Sequence, residues 1–287
     1  MKDWLRKALA LLLCLCVLLP AAALSEEEAG AEEAEDAETA EEPEAGAEEG
    51  NEPAGGGEED LMAEFTLTHG DRQSNKIAIT VDDCWASSTK HLNKIIDLCE
   101  QYHIPVTFFA LDKGGCLTPK YRDMWQRALD AGCEIGSHYY NHVFMGSRDN
   151  WTIIRMLGRW QEDLDKTLGY HYQIRWLRPP YGNIEDQHLS KRSTQRMTKV
   201  IKIFGFDHIV RWDVSDTVAS DALEHVQNGS ILLFHGKNKD VKCLEELIPA
   251  LIERGYQLVT VSELFGYPPP ETSSELYVYR KEDYEGR

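Results

Sequence analysis

His138 and His142 stand four positions apart in Ser137-His138-Tyr139-Tyr140-Asn141-His142, a spacing that puts two imidazoles on one face of a helical turn and lets them share a metal ion. By itself the pair is ambiguous, because histidines so spaced also serve as hydrogen-bonded core or surface residues. Asp83 weights the choice toward a ligand set, since one carboxylate and two imidazoles leave an open position for water on a catalytic zinc ion. Asp82 comes immediately before it, and adjacent carboxylates in a dry site repel unless a cation or an arginine compensates them. A metal on one and an arginine beside the other would satisfy both. A solvated turn or helix cap is the plainer alternative, and it accounts for one aspartate better than for two. The chemistry such a set would perform is metal-assisted hydrolysis.

Two further motifs, Arg178-Pro179-Pro180-Tyr181-Gly182 and Leu233-Phe234-His235, follow Thr80-Val81-Asp82-Asp83 and the histidine pair in this order. With these four motifs the chain resembles the polysaccharide deacetylase family, also called carbohydrate esterase family 4 or the NodB-homology domain, from roughly Lys76 to Phe265. The resemblance implies a distorted (β/α) barrel that removes N-acetyl groups from amino-sugar polysaccharide. Peptidoglycan is the first substrate to expect, with chitooligosaccharide and exopolysaccharide as alternatives. It implies Asp82 as general base, oriented and held ionised by Arg178, and Asp83, His138 and His142 as ligands of a divalent metal, zinc ahead of cobalt or another ion. His235 is implied as general acid, tuned by Asp216 or Asp213. The backbone N–H of Tyr181 would bind the oxyanion, and Leu233 would line the pocket for the acetyl methyl group.

The sequence departs from the family pattern at four places. Cys84 replaces a glycine after the paired aspartates, Tyr139 a serine or threonine, Val143 a proline, and Thr217 the tryptophan that usually follows the aspartate motif. A tolerated small residue is the expected role of Cys84, against a redox role or metal coordination by its thiol. Trp85, Tyr139, Tyr140 and Trp176 are candidate stacking surfaces for a sugar ring, with a core position the plainer role for Trp176. These changes also motivate a second functional class, a carbohydrate-binding pseudoenzyme.

Residues so far apart in sequence need a scaffold that gathers them. Apolar, β-branched runs at Lys76 to Val81, Pro105 to Ala110, Glu134 to Gly136, Ile174 to Leu177, His208 to Trp212, Ser230 to Phe234 and Gln257 to Val261 read as strands. Helical periodicity marks Ser87 to Tyr102, Lys120 to Ala131, Trp151 to Gly169, Asp186 to Phe204, Asp221 to Gln227 and Val241 to Arg254. Gly132, Gly169 and Gly255 are expected helix stops. Such alternation predicts an α/β fold with about seven parallel strands in a single catalytic domain. Five of the strands end in polar side chains, and only a barrel brings all their C-terminal ends to one mouth.

Lys2, Arg6 and Lys7 precede an apolar run from Ala8 to Leu19 and then small residues, the layout of a secretory signal peptide over residues 1–24. Membrane attachment is expected only if that segment stays uncleaved. Residues 25–60 hold 17 acidic side chains and no Lys or Arg, a composition that predicts a disordered, self-repelling linker. With that segment and the net +2 of residues 1–24 set aside, the overall charge of −19 leaves about −4 for residues 61–287. No basic patch suggests nucleic acid as a partner. The reading is therefore an exported, monomeric protein acting on a cell-wall glycan, with its catalytic domain at 61–266. Five cysteines fall beyond residue 60, so at least one must lack a partner within the chain. Prolines 268–270 predict that the tail, 267–287, leaves the domain as an extended segment.

Overall fold

The computed structural model describes residues 65–182, 184 and 191–286. The expected signal peptide and acidic linker lie outside them, as does the start of the helix expected from Asp186. All described residues belong to one compact unit, Gly55–Arg287.

Strand β2 (Lys76–Asp82) is buried from Ile77 onward, as an apolar strand covered on both faces should be. It pairs in parallel with β3 (Thr107–Ala110) and β7 (Ile231–His235), and at its start with β8 (Gln257–Leu258). β3 pairs in turn with β4 (Glu134–Ser137), giving the order β4-β3-β2-β7. From β4 the circuit continues by single parallel bridges. Ser137 meets Leu177, Leu177 meets Ile209 of β6 (Ile209–Val210), and Val214 meets Leu232 of β7. Strand segments thus follow one another around a distorted ring without a continuous ladder closing it. Strand β1 (Thr66–Leu67) adds to β6.

Four expected strands are shorter in the structure, Pro105 to Ala110 narrowing to Thr107–Ala110 and His208 to Trp212 to Ile209–Val210. Of Ile174 to Leu177 only Leu177 is bridged, and beyond Arg178 the residues Pro179 and Pro180 offer no donors with which the pairing could continue. The last strand stops at Leu258, since the Thr260 hydroxyl accepts the Glu263 N–H and so starts a short helix, Val261–Leu264.

The six expected helices are present as α1 (Thr89–Tyr102), α2 (Arg122–Asp130), α3 (Asn150–Leu168), α4 (Lys191–Phe204), α5 (Ala219–His225) and α6 (Asn238–Glu253). Asp149 caps α3 by accepting from Thr152 N at 3.0 Å, and Gly169 ends it at φ 86°, the left-handed turn that glycine adopts without strain. The largest core cluster joins Ile79, Val81 and Phe108 of the sheet to Ile95 and Ile96 of α1 and Leu244 and Leu247 of α6. Each such buried side chain contributes about 1.5–3 kcal/mol. All five described cysteines are buried and unbridged. Among the described residues no helix is long and apolar enough to cross a membrane.

The tail does not leave the unit. Thr272–Ser273 (β9) pairs antiparallel with His171–Tyr172 (β5), and Tyr277 N and Tyr279 N donate to Asp165 and Glu162 of α3 at 2.8 and 3.0 Å. Tyr284 stacks on Phe204 of α4 and is buried. The prolines only redirect the chain; the aromatic side chains after them supply the apolar area that returns it to the helices.

Candidate active site

At the end of β2 the chain turns sharply. Asp83 and Cys84 both have left-handed backbones (φ 66° and 52°), Cys84 N donates back to Asp82 O at 2.8 Å, and Leu111 N holds Asp83 O at 3.0 Å. Such conformations cost about 1–3 kcal/mol for residues with a β-carbon and persist where the surroundings enforce them. They turn both carboxylates inward, where each is buried. The backbone at 84 also accounts for the glycine expected there. The Cys84 side chain is fully buried in the core, and burial pushes its thiol well above the ordinary value, which suits a packed thiol rather than a ligand.

Arg178 follows the bridged Leu177 and is wholly buried. Its Nη1 donates to Asp82 Oδ1 and to Thr80 Oγ1, each at 2.7 Å. Its Nε and Nη2 donate to the carbonyls of Val210 and Arg211 at 3.1 and 2.9 Å, and its guanidinium lies 4.2 Å from the centre of the Phe109 ring. Thr80 passes the chain on by donating to Leu232 O. The guanidinium is fixed by three strand segments, and it fixes Asp82.

His138 and His142 lie on the irregular stretch after β4 rather than on a helical turn. Tyr139 between them takes φ 70° and sends its ring into the core beside Met145 and Ile153, so it offers no stacking surface to a sugar. His138 Nδ1 donates to Arg178 O at 2.8 Å, which leaves Nε2 facing Asp83 Oδ1 at 3.5 Å. His142 Nε2 reaches the same oxygen at 3.6 Å. Ligand atoms of the three residues all lie within 4.8 Å of one another. Asp83 Oδ1 is buried and has no hydrogen-bond partner, and an orphaned carboxylate oxygen between two imidazole nitrogens is strongly unfavourable unless a cation joins them. Burial holds the His138 ring below its ordinary value even though Asp82 and Asp83 pull it up, and a neutral imidazole is the form that binds a metal. The donor set fits a divalent ion.

Around this centre, Tyr181 (φ 64°) is exposed, and its ring stands edge-on to His142 with centroids 4.6 Å apart. Trp85 is half-buried with its ring 6.3 Å from that of His142, in reach of anything bound at the histidines. Tyr140 lies under the Arg159 guanidinium, and Trp176 is a core residue bonded to Ser262. Leu233 pairs with Thr80 one turn of the pleat below the aspartates and is almost buried. His235 pairs with Asp82 itself.

The aspartate motif behaves otherwise than expected. Asp216 accepts from His225 Nδ1 at 2.8 Å, and Asp213 is engaged by Arg72, Ser230 Oγ and Ile231 N, so neither carboxylate is paired with His235. His225 at the end of α5 competes for Asp216, and Arg72 draws Asp213 away. Thr80 and Trp212 were the residues that motif reading passed over. Thr80 bonds Arg178 directly, and Trp212 packs over the Arg178 guanidinium at 5.5 Å through a gap where a β-carbon on Gly182 would sit 2.5 Å from its ring. The sequence signal was position: Thr80 opens the motif of the paired aspartates, and Trp212 directly precedes Asp213.

A family model described as polysaccharide deacetylase matches residues 69–200. Among curated proteins the chain is similar to the peptidoglycan-N-acetylmuramic acid deacetylase PdaC of Bacillus subtilis (strain 168), 28% identical over 204 residues that make up 68% of this chain and 39% of that protein. The chain therefore spans less than half the length of PdaC. The solved structure of PdaC matches with a TM-score of 0.55 at 25% identity, covering 68% of this chain and 91% of that one. A CE4 family pseudoenzyme from Bacillus anthracis matches in fold with a TM-score of 0.58 at 20% identity, covering 70% and 69%. The four motifs thus gather at one end of the strands of a chain that resembles the polysaccharide deacetylase family in sequence over residues 69–200 and in fold.

Proposed function

We propose that this chain is an extracytoplasmic, metal-dependent hydrolase that removes N-acetyl groups from amino-sugar polysaccharide, with peptidoglycan as its substrate. The observation that carries the reading is the meeting of Asp83, His138 and His142 about one orphaned carboxylate oxygen, next to an Asp82 held by Arg178. Those three residues would hold a divalent ion, zinc or cobalt by the nature of the donors, which supplies Lewis acidity toward the acetamide carbonyl and toward water.

The rest is done by the chain itself. Asp82 Oδ1 is committed to Arg178, so Oδ2 is the oxygen that takes the proton from the attacking water. The Tyr181 N–H donates to the oxygen that gains charge as the carbonyl becomes tetrahedral. His235 gives a proton to the departing amine. One water is consumed, and acetate and a free amino sugar leave. Leu233 lines the pocket for the acetyl methyl group, and Trp85 offers a face to the sugar ring.

The names of the relatives, peptidoglycan N-acetylmuramic acid and N-acetylglucosamine deacetylases, support peptidoglycan. The basic and then apolar N-terminus supports export to where that glycan lies. The test is to incubate purified protein with zinc or cobalt and with peptidoglycan, chitin oligomers or an acetylated exopolysaccharide, and to quantify acetate. Release from peptidoglycan above the others is expected. Release from another glycan alone would reassign the substrate, and glycan binding without acetate from any of them would make the chain a carbohydrate-binding pseudoenzyme.

A further inference from the structure

His235 is the last residue of β7, and what orients it comes from the next helix. Asp240, in the first turn of α6, is completely buried, and its Oδ2 accepts from two backbone donors, His235 N at 3.0 Å and Lys237 N at 3.2 Å. The second bond is the usual reach of an N3 side chain back to the N-cap. The first is not part of any helix cap, because it reaches two residues farther, to the amide of the acid histidine itself. Between them lies Gly236, where an added β-carbon would stand 2.9 Å from Leu92 Cδ2 and 3.1 Å from Ser88 Cβ, so the turn is pressed against the start of α1 on its other side. Lys237 N also bonds His235 O at 2.8 Å. The two aspartates expected to serve His235 are engaged elsewhere, by His225 and by Arg72.

We propose that Asp240 is the positioning residue of the general acid: by clamping the His235 and Lys237 amides it sets the direction in which the imidazole leaves β7. The proposal rests on the reading of His235 as the proton donor and adds to it a residue outside the four motifs. Asp240 touches no substrate and acts only through the turn. Its other oxygen, Oδ1, is buried without a partner among the described residues, so the protein groups that hold the carboxylate in this pose are the two amides.

The test uses the full chain loaded with zinc and compares wild type, Asp240→Ala, Asp240→Asn, His235→Ala and the double variant His235→Ala/Asp240→Ala by steady-state acetate release, with zinc affinity and melting temperature measured for each. Asp240→Ala is expected to lower kcat about tenfold or more with KM and zinc affinity unchanged, because the lost interaction serves the transition state rather than binding. Asp240→Asn, which keeps an acceptor oxygen in the same volume, should recover kcat to within about threefold of wild type. In the His235→Ala background the second substitution should change kcat less than twofold, as expected of two residues acting through one device. A merely structural cap would lower the melting temperature without this split. The proposal is overturned if Asp240→Ala keeps kcat within twofold of wild type, if Asp240→Asn is as impaired as Asp240→Ala while folded, or if the two losses multiply. Should Asp240→Ala not fold, the Asn and double-variant comparisons, the latter made with Asn, decide alone. If His235→Ala itself retains full activity, it is the assignment of the acid that fails.

Discussion

Asp82 and His235 are register partners at the ends of the adjacent parallel strands β2 and β7. Paired residues of a parallel ladder face the same side, about 4.8 Å apart along the hydrogen-bonding direction, so the separation of the proposed base and acid is set by the sheet. What the sheet leaves open is the direction of each side chain. Arg178 settles it for Asp82 with a bond of 2.7 Å.

Replacing Arg178 should therefore damage stability and turnover together. Arg178→Met leaves Asp82 as a buried, unpaired carboxylate, a change that costs about 3–5 kcal/mol. Arg178→Lys keeps the charge, but a single ammonium cannot serve Asp82, Thr80, Val210 and Arg211 at once. Urea denaturation should place Lys between wild type and Met, and acetate release should fall about 100-fold or more in both, the range a positioned base contributes. A Lys variant with wild-type turnover would show that charge alone suffices.

Metal binding should be visible as stability. Added zinc at about 100 times its dissociation constant should raise the unfolding free energy of chelator-treated protein by about 2.7 kcal/mol. Asp83→Asn should abolish that gain. The variant without metal should be at least as stable as metal-free wild type, because asparagine tolerates the left-handed backbone at 83 and removes an orphaned carboxylate. Thermal denaturation with and without zinc reads both effects, and an undiminished zinc shift in Asp83→Asn would exclude Asp83 as a ligand.

The sequence made the paired aspartates, the histidines and Arg178 legible because each is tied to a short motif at the end of an apolar run, and strand ends are where a parallel α/β fold gathers its chemistry. The helices were legible from periodicity and from their terminal glycines. Local pattern could not reveal competition between side chains. Asp216 sits at a plausible distance from His235 in sequence, and only the fold brings His225 to it first. Asp240 lies outside every motif, and its bond to His235 N depends on how closely α6 starts after β7. The tail misled for a related reason: three prolines describe their own backbone and say nothing of where Tyr279 and Tyr284 will pack.

Asp112, just after β3, should contribute a loss of stability as pH rises from about 5 to 9. Burial and then the neighbouring Asp163 carboxylate push the Asp112 carboxyl up to about 8, against the pull of Arg159 and Lys166. The folded state thus holds this proton more tightly than the unfolded chain does, whose carboxyl titrates near 3.8. The stabilising contribution is complete below the unfolded value and is lost as pH climbs through the folded one. Asp112→Asn, neutral at every pH, should flatten that part of the melting profile between pH 5 and 9. Parallel profiles for variant and wild type would remove Asp112 from the account.

The packing of the tail on α3 can be tested by reversing the sign of a single substitution. Gly158 lies in the middle of α3, where glycine is worse than alanine by about 1 kcal/mol, so Gly158→Ala ought to stabilise an isolated helix. In the folded chain a β-carbon there would run into the Tyr279 ring, and overfilling a packed site costs about 1–3 kcal/mol. In wild type, then, Gly158→Ala should destabilise, and it should speed limited proteolysis after residue 267 as the tail is displaced. In a Tyr279→Ala background the ring contacts are gone and only the β-carbon of residue 279 remains, 3.1 Å away, so the same substitution should turn from destabilising to neutral or stabilising, by up to about 1 kcal/mol, since neighbours in contact are not additive. Urea denaturation of the four proteins measures the coupling. If Gly158→Ala has the same effect with and without the tyrosine, the tail does not lie against α3 in solution, and removing residues 267–287 should then leave the unfolding free energy of the unit unchanged.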